Sequence, residues 1–435
     1  MPDIAAHTLG CKVNQYDTQA MLELFLREGY RIVPVDQPAD VYLINTCTVT
    51  GTGDKKSLQL IRKIRREYPS SFLIVCGCMA QQRGEELLST GADLIIGTQR
   101  RNEVVSLLKQ VRETGRPLCA VSPLEDNQPF ESLSVSALNE HTRAVIKIQE
   151  GCGNHCSYCI IPSVRGPVRS RPPEDIRREV TRLRDAGFCE VVLTGIHLCS
   201  YGRDLDPALS LIDAVRIIQE TEGILRIRLG SLEPTVATPA FAAELHRMDK
   251  ICPQFHLALQ SGSNTVLARM RRRYNTAQYL QAVDNLRHEF PRASFTTDIL
   301  TGFPGETEEE FEETKNMIKK IGFARIHVFP YSARPHTPAA LLPGQLPAKE
   351  KERRARELIA LGRDVASDYL SAWVGRETMI IPEEKINGCW EGYTPEYIRV
   401  RLFKEECCIP GRPVFVRLLN SDPPVMYGKI IDQPK

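Results

Sequence analysis

Short apolar runs alternate with amphipathic helical stretches along most of the chain, and no other feature restricts its fold as much. Residues 4–9, 41–44, 72–75 and 94–96 read as buried strands, each followed by a helical pattern such as 14–28 or 54–68. Short apolar strands separated by helices belong to a parallel α/β sheet. The alternation resumes with strands at 144–148, 190–193, 225–229, 255–259, 294–300 and 324–329, and with helices such as 174–186, 276–289 and 306–321. Six such units fit an open, partial (β/α)6 barrel better than a closed eight-stranded one. A charged helix from 348 to about 370 closes the block. In either architecture a site belongs at the C-terminal ends of the strands. Beyond residue 370 the pattern changes to short strands at 379–381, 397–402, 414–418 and 425–431, split by Gly and Pro turns. That pattern predicts a small five-stranded all-β barrel. The expected fold class is therefore α/β, with a parallel-sheet part at 1–115, a partial barrel at 138–370 and the β tail at 371–435. Residues 117–142 are poor in pattern and read as a linker.

The sequence has neither an uninterrupted apolar run of about 18 residues nor a basic stretch leading into an apolar one, so a cytoplasmic protein with no membrane partner is expected. In a reducing compartment the 14 cysteines point to metal or redox chemistry rather than to disulfides. Net charge is only +2, so any nucleic-acid binding must come from local patches.

Gly151-Cys152-Gly-Asn-His-Cys156-Ser-Tyr158-Cys159 follows directly on a predicted strand. Three thiolates in one tight loop can hold three irons of a cubane and leave a fourth open to a small molecule. A zinc site would need a fourth Cys or His at suitable spacing, and His155 inside the loop is poorly placed to supply it. Cys11, Cys47 and Cys78 each lie just past a predicted strand, in Leu9-Gly-Cys11, Asn45-Thr-Cys47 and Cys76-Gly-Cys78. In a parallel sheet those ends share one edge, where ligands gather. The competing reading is three small buried hydrophobes, the usual fate of free cysteine.

The Cys-x3-Cys-x-aromatic-Cys pattern resembles the signature of the radical S-adenosylmethionine superfamily. Thr8-Leu-Gly-Cys11-Lys-Val-Asn14-Gln15, Asn45-Thr-Cys47-Thr-Val and Gly77-Cys78-Met-Ala80-Gln81 resemble the N-terminal domain of its methylthiotransferase family. Leu193-Thr-Gly195-Ile-His197, Leu229-Gly-Ser231-Leu-Glu233-Pro234, Leu259-Gln260-Ser-Gly262, Asp298-Ile-Leu-Thr-Gly302-Phe-Pro304 and Tyr331-Ser-Ala-Arg334 agree, so the likeness spans essentially the whole chain. It implies two 4Fe–4S clusters: one on Cys152, Cys156 and Cys159, where reductive cleavage of S-adenosylmethionine makes a 5′-deoxyadenosyl radical, and one on Cys11, Cys47 and Cys78, which carries the sulfur to be inserted. Cys76 is the rival of Cys78. Tyr158 matches the aromatic near the adenine. Thr194, Gly195, Ser231, Glu233, Gln260, Asp298 and Gly302, at or just past strand ends, are candidates for the S-adenosylmethionine pocket, although turns and caps also explain such residues. His197 is expected to pack or hydrogen-bond. Cys119, Cys189, Cys199, Cys252, Cys389, Cys407 and Cys408 read as ordinary cysteines.

The word around Cys11 and Gly392-Tyr393-Thr-Pro-Glu-Tyr397-Ile-Arg399 in the tail most resemble the branch that acts on threonylcarbamoyl-adenosine in tRNA. That branch implies the tRNA anticodon arm as partner and a flavodoxin or ferredoxin as electron donor. Methylthiolation of a ribosomal protein, or a non-catalytic iron–sulfur carrier, are the alternatives. The tail resembles a TRAM domain, a small RNA-binding barrel. Residues 373–435 hold nine Lys or Arg and nine Asp or Glu, so the tail is not basic overall. Arg399, Arg401, Arg412 and Arg417 with Tyr393 and Tyr397 are its candidates for phosphate contact and base stacking. Arg62–Arg66 and Arg271–Arg273 are further basic runs. Arg165, Arg169 and Arg171, soon after the cluster loop, are the foremost candidates to meet the anticodon arm.

Overall fold

The computed structural model describes residues 1–126, 128–135, 142–403 and 408–432. The N-terminal strands form a six-stranded sheet in the order Arg31–Val33, Asp3–Thr8, Val41–Thr46, Phe72–Gly77, Leu94–Ile95, Leu118–Cys119. Every pairing is parallel. Val41–Thr46 lies near the middle and is buried at every position. A strand covered on both faces has to be a continuous apolar run, as this one nearly is. Helices Lys12–Arg27 and Val104–Thr114 pack on one face, Gly51–Glu67 on the other. Two of the six strands escape the pattern reading, and one of them, Leu118–Cys119, lies inside the stretch read as linker. Leu133 and Val135 of that stretch are also buried, against Tyr16 and Ala20 of the first helix.

Arg143–Glu150, Glu190–Gly195, Arg226–Leu229, Gln254–Leu257, Ser294–Thr301 and Arg325–Pro330 follow one another in an open arc, as expected, split into two sheets, each parallel among these strands, that meet at the parallel bridge between Ile227 and Ile251. Side chains alternate across each strand. Ile146, Val191, Ile227, Phe255, Phe295 and Ile299 meet the surrounding helices in the largest apolar core. The opposite face carries Lys147, Glu190, Arg228, His256, Asp298 and His327, so the interior of the arc is polar. Helix Ala348–Ser371 closes the last strand. A Cβ added at its Gly362 would stand 2.5 Å from Ile326, so glycine permits this close approach.

The tail is a closed five-stranded barrel in the order Glu377–Ile386, Cys389–Tyr393, Arg399–Leu402, Val425–Ile430, Val414–Asp422. Ile380, Val400, Leu402, Val416, Leu418 and Met426 fill it, with Leu370 from the closing helix and Trp373 just past its end. Its 393–397 turn caps the N-terminal mouth of the arc. Arg226 donates to the carbonyls of Tyr393 (2.9 Å) and Met379 (2.7 Å), Arg228 to that of Pro395 (2.9 Å), and Ser294 to that of Glu396 (2.6 Å). At the other end buried Arg334 reaches Asp54 (2.5 Å) and Thr48 (2.8 Å), tying the end of the arc to the first sheet. No helix among the described residues is long and apolar enough to cross a membrane.

Candidate active site

The loop 152–159 leaves the first strand of the arc through Gly151, whose φ is +74° and whose missing Cβ would lie 1.7 Å from the Pro167 carbonyl oxygen. Only glycine fits there. Cys152 N–H donates to the Gly166 carbonyl (3.0 Å), and Ser157 donates through its N–H to Met270 O (3.0 Å) and through its hydroxyl to Arg269 O (2.7 Å). The loop is thus tied to segments before and after the cavity that it faces. Cys152, Cys156, Cys159, Tyr158, Ser231 and Glu233 line that cavity together. Glu233 accepts from His197 Nε2 (3.0 Å), Arg272 Nη2 (3.2 Å) and Asn154 Nδ2 (3.3 Å). Burial opposes its charge, but the His197 hydrogen bond, Arg272 and Asn154 outweigh it and hold the carboxyl down at about 2. Arg272 Nη1 also donates to Cys156 Sγ at 3.2 Å. Burial pushes the Cys159 thiol up to about 12 and raises Cys152 as well. Buried thiols of this kind ionise when a metal supplies the countercharge. The donor set therefore fits a three-thiolate cluster.

The second set assembles at the sheet edge predicted for it. Strand pairings Thr8↔Asn45 and Thr46↔Gly77 align the three strand ends that lead into Cys11, Cys47 and Cys78. A Cβ at Gly10 (φ +113°) would lie 3.3 Å from Cys47 Sγ, so the turn before Cys11 rests on Cys47. Cys11 stands exposed at the start of its helix. Burial pushes the Cys78 thiol up to about 11, against the pull of Arg165, with the Cys11 and Cys47 thiols adding to the rise. Cys78 packs in one apolar cluster with Ile160 and Val164, which follow the loop 152–159. Arg165 Nε donates to Cys78 Sγ at 3.2 Å. Cys76 points elsewhere, into the core between the sheet and its first helix, where burial raises its thiol far above the ordinary range. Among the described residues no three His, Cys, Asp or Glu side chains converge closely enough for a single ion.

The other candidates fall at several depths. Thr194 and Gly195 end the second strand of the arc, with Gly195 against Gln149. Gln260 (φ +65°) donates its N–H to Asp298 O at 2.9 Å, while the Asp298 carboxylate pairs with His256 at 3.4 Å inside the arc. Gly302 (φ +70°) forms a turn whose N–H donates to Glu306 at 2.6 Å. Cys199 is buried and accepts from Glu233 N–H at 3.1 Å. Cys407 lies outside the described residues.

Two expectations fail. Arg165, Arg169 and Arg171 are 0%, 4% and 2% exposed and cannot meet RNA in this structure. Arg171 instead binds Tyr16 (3.0 Å), the Leu133 carbonyl (3.1 Å) and Glu179 (3.2 Å), so it fastens the first helix to the arc. Nor do Tyr393 and Tyr397 offer free faces for base stacking. They stack on each other at 4.5 Å, Arg143 lies over both, and Arg228 lies over Tyr397 at 4.6 Å. Arg399 and Arg401 are both held by Glu391, Arg417 pairs with Glu377, and Arg412 is exposed. Sequence reasoning also misses Asn154, and the contacts of Arg165 and Arg272 with the cysteines. Neighbouring arginines in the same runs mask those two, and no spacing rule singles them out.

Residues 146–318 match the Radical SAM superfamily, and residues 3–97 match a family described as Uncharacterized protein family UPF0004. The Threonylcarbamoyladenosine tRNA methylthiotransferase MtaB of Bacillus subtilis (strain 168) is 42% identical over 99% of this chain and 97% of its own length. The tRNA-2-methylthio-N(6)-dimethylallyladenosine synthase of Moorella thermoacetica is 34% identical over 98% of this chain and 97% of that one. Among solved structures, the radical S-adenosylmethionine methyltransferase TsrM from Kitasatospora setae superposes with a TM-score of 0.58 over 78% of this chain and 74% of that chain. At 14% identity this is a likeness of fold.

Proposed function

This chain belongs to the radical S-adenosylmethionine methylthiotransferases, and from that premise we propose that it places a methylthio group on N6-threonylcarbamoyladenosine beside the anticodon of tRNA. Membership makes it an enzyme that uses S-adenosylmethionine and a 4Fe–4S cluster. Such a cluster, when bound with one iron free of protein ligands, supplies the electron that cleaves the sulfonium C–S bond. Cys152, Cys156 and Cys159 would hold it. Glu233, ionised and fixed by three donors, offers a carboxylate to an ammonium or hydroxyl group of the cofactor. Tyr158 and Ser231 share its cavity. Thr194, Gly195, Gln260, Asp298 and Gly302 would border the cofactor from the strand ends.

Cys11, Cys47 and Cys78 would hold a second 4Fe–4S cluster that carries the sulfur. The observation that supports this most is the packing of Cys78 on Ile160 and Val164, which brings the second triad against the segment following Cys159. A flavodoxin or ferredoxin would deliver electrons, and the reaction would run in the cytoplasm. The substrate assignment draws on the relatives' names together with the Cys11 word.

Anaerobic reconstitution, followed by dithionite and S-adenosylmethionine, should yield 5′-deoxyadenosine. Mass spectrometry of tRNA nucleosides from a strain lacking the protein should show the unmarked threonylcarbamoyl base accumulating. Loss of the mark from the dimethylallyl base instead would reassign the substrate, and intact marks on both would remove the tRNA reading.

A further inference from the structure

Each set of cysteines receives one guanidinium N–H, Arg272 to Cys156 and Arg165 to Cys78, both at 3.2 Å. The settings differ. Arg165 ends the short helix Ile161–Arg165, which follows the loop 152–159, and is completely buried. Its Nη1 donates to Glu150 (2.8 Å) and Asp17 (3.1 Å), and its Nη2 donates to Asn14. Glu150 stands two residues before Cys152, and Asn14 three residues after Cys11. One planar side chain thus touches the strand that feeds the first loop, the helix that starts at the second triad, and the sulfur of Cys78. Lys147 supports it by binding Asp17 (2.5 Å) and Glu150 (3.0 Å), and Arg101 by reaching Asp17 and Glu131 (2.7 Å). Lysine has no planar fork and could not make these bonds together.

Resting on the two-cluster reading above, we propose that Arg165 is a positioning residue for the second cluster: its Nε–H bond to Cys78 and its buried charge raise that cluster's reduction potential. A donor on a ligand sulfur draws electron density from the cluster and favours the reduced, more negative state, more so where water is excluded. The same side chain locks Cys78 to Glu150, so the geometry of one triad is passed to the loop bearing the other.

The test uses the full chain carrying Cys152→Ala, Cys156→Ala and Cys159→Ala, which removes the first cluster and the Arg272 contact from the signal. After anaerobic reconstitution, a redox titration followed by electron paramagnetic resonance gives the midpoint potential. Adding Arg165→Lys should shift it to a more negative value, and Arg165→Gln should shift it further. Arg165→Gln leaves Asp17 and Glu150 short of a cation and can fail to fold, so a second measurement avoids substitution at Arg165. In chain labelled with 15N-arginine, the reduced cluster should show a 15N hyperfine coupling in pulsed spectra. A cluster that forms but lacks the coupling, or keeps its potential in Arg165→Lys, overturns the role of Arg165 alone. Failure of the triple variant to take up any iron overturns the two-cluster reading and this inference with it.

Discussion

Only Gly77 separates Cys76 from Cys78, and the turn there sends one thiol into the sheet core and the other toward Cys11 and Cys47. The distinction is measurable. Cys78→Ala should lower iron after anaerobic reconstitution by about half, whereas Cys76→Ala should leave it unchanged and cost about 1 kcal/mol of stability in urea. Gly151→Ala forces a Cβ to within 1.7 Å of the Pro167 carbonyl at positive φ. It should destabilise the chain by about 2 kcal/mol or more and should also cost about half of the iron, this time from the first loop. The cysteines are legible in the sequence because short local words carry them. The buried arginines are not, because the burial of Arg165 depends on Asn14, Asp17, Cys78 and Glu150, which only the fold assembles. A run of arginines looks the same whether it faces water or holds two layers together.

Long amphipathic elements are the easiest to read. The helix predicted at 306–321 is found at Glu308–Ile321, capped by Thr307, whose hydroxyl accepts from Glu310 N–H while the Glu310 carboxylate accepts from Thr307 N–H. Thr307→Ala should cost about 1 kcal/mol in urea denaturation. Glu310 also binds Arg269 at 2.6 Å. Burial alone would raise its carboxyl, but Arg269, Thr265 and the Thr307 N–H outweigh it and pull it from 4.5 down to about 2. The folded value lies below the unfolded one, so the stabilisation is complete above the unfolded value and fades as pH falls toward 2. Glu310→Gln should lose about 1–2 kcal/mol at pH 7, and its gap from the parent chain should close between about pH 5 and pH 2. The strands Arg31–Val33 and Leu118–Cys119 escape prediction for a different reason. With three and two residues they hold too little alternation to register, and only a neighbouring strand makes them strands.

For the molecule as a whole, the three-part order was legible and the seams between the parts were not. Tyr393 and Tyr397, expected on an RNA-facing surface, lie at the seam between tail and arc because Arg143 and Arg228 cover their rings. Arg228 is also bound to Glu190 at 3.0 Å inside the arc, and Arg228→Met should cost about 3 kcal/mol by leaving that carboxylate short of a partner. A chain ending at residue 372 should lose cooperativity in the calorimetric transition of the arc itself, rather than simply lacking a separate tail transition. The capped mouth also bears on biosynthesis. A ribosome makes residues 379–397 after the six strands of the arc, so until those carbonyls emerge Arg226 and Arg228 have Glu190 but lack their acceptors in the tail. The catalytic body is thus finished by a segment translated after its own strands, and a product released before that segment would lack its floor as well as an appendage.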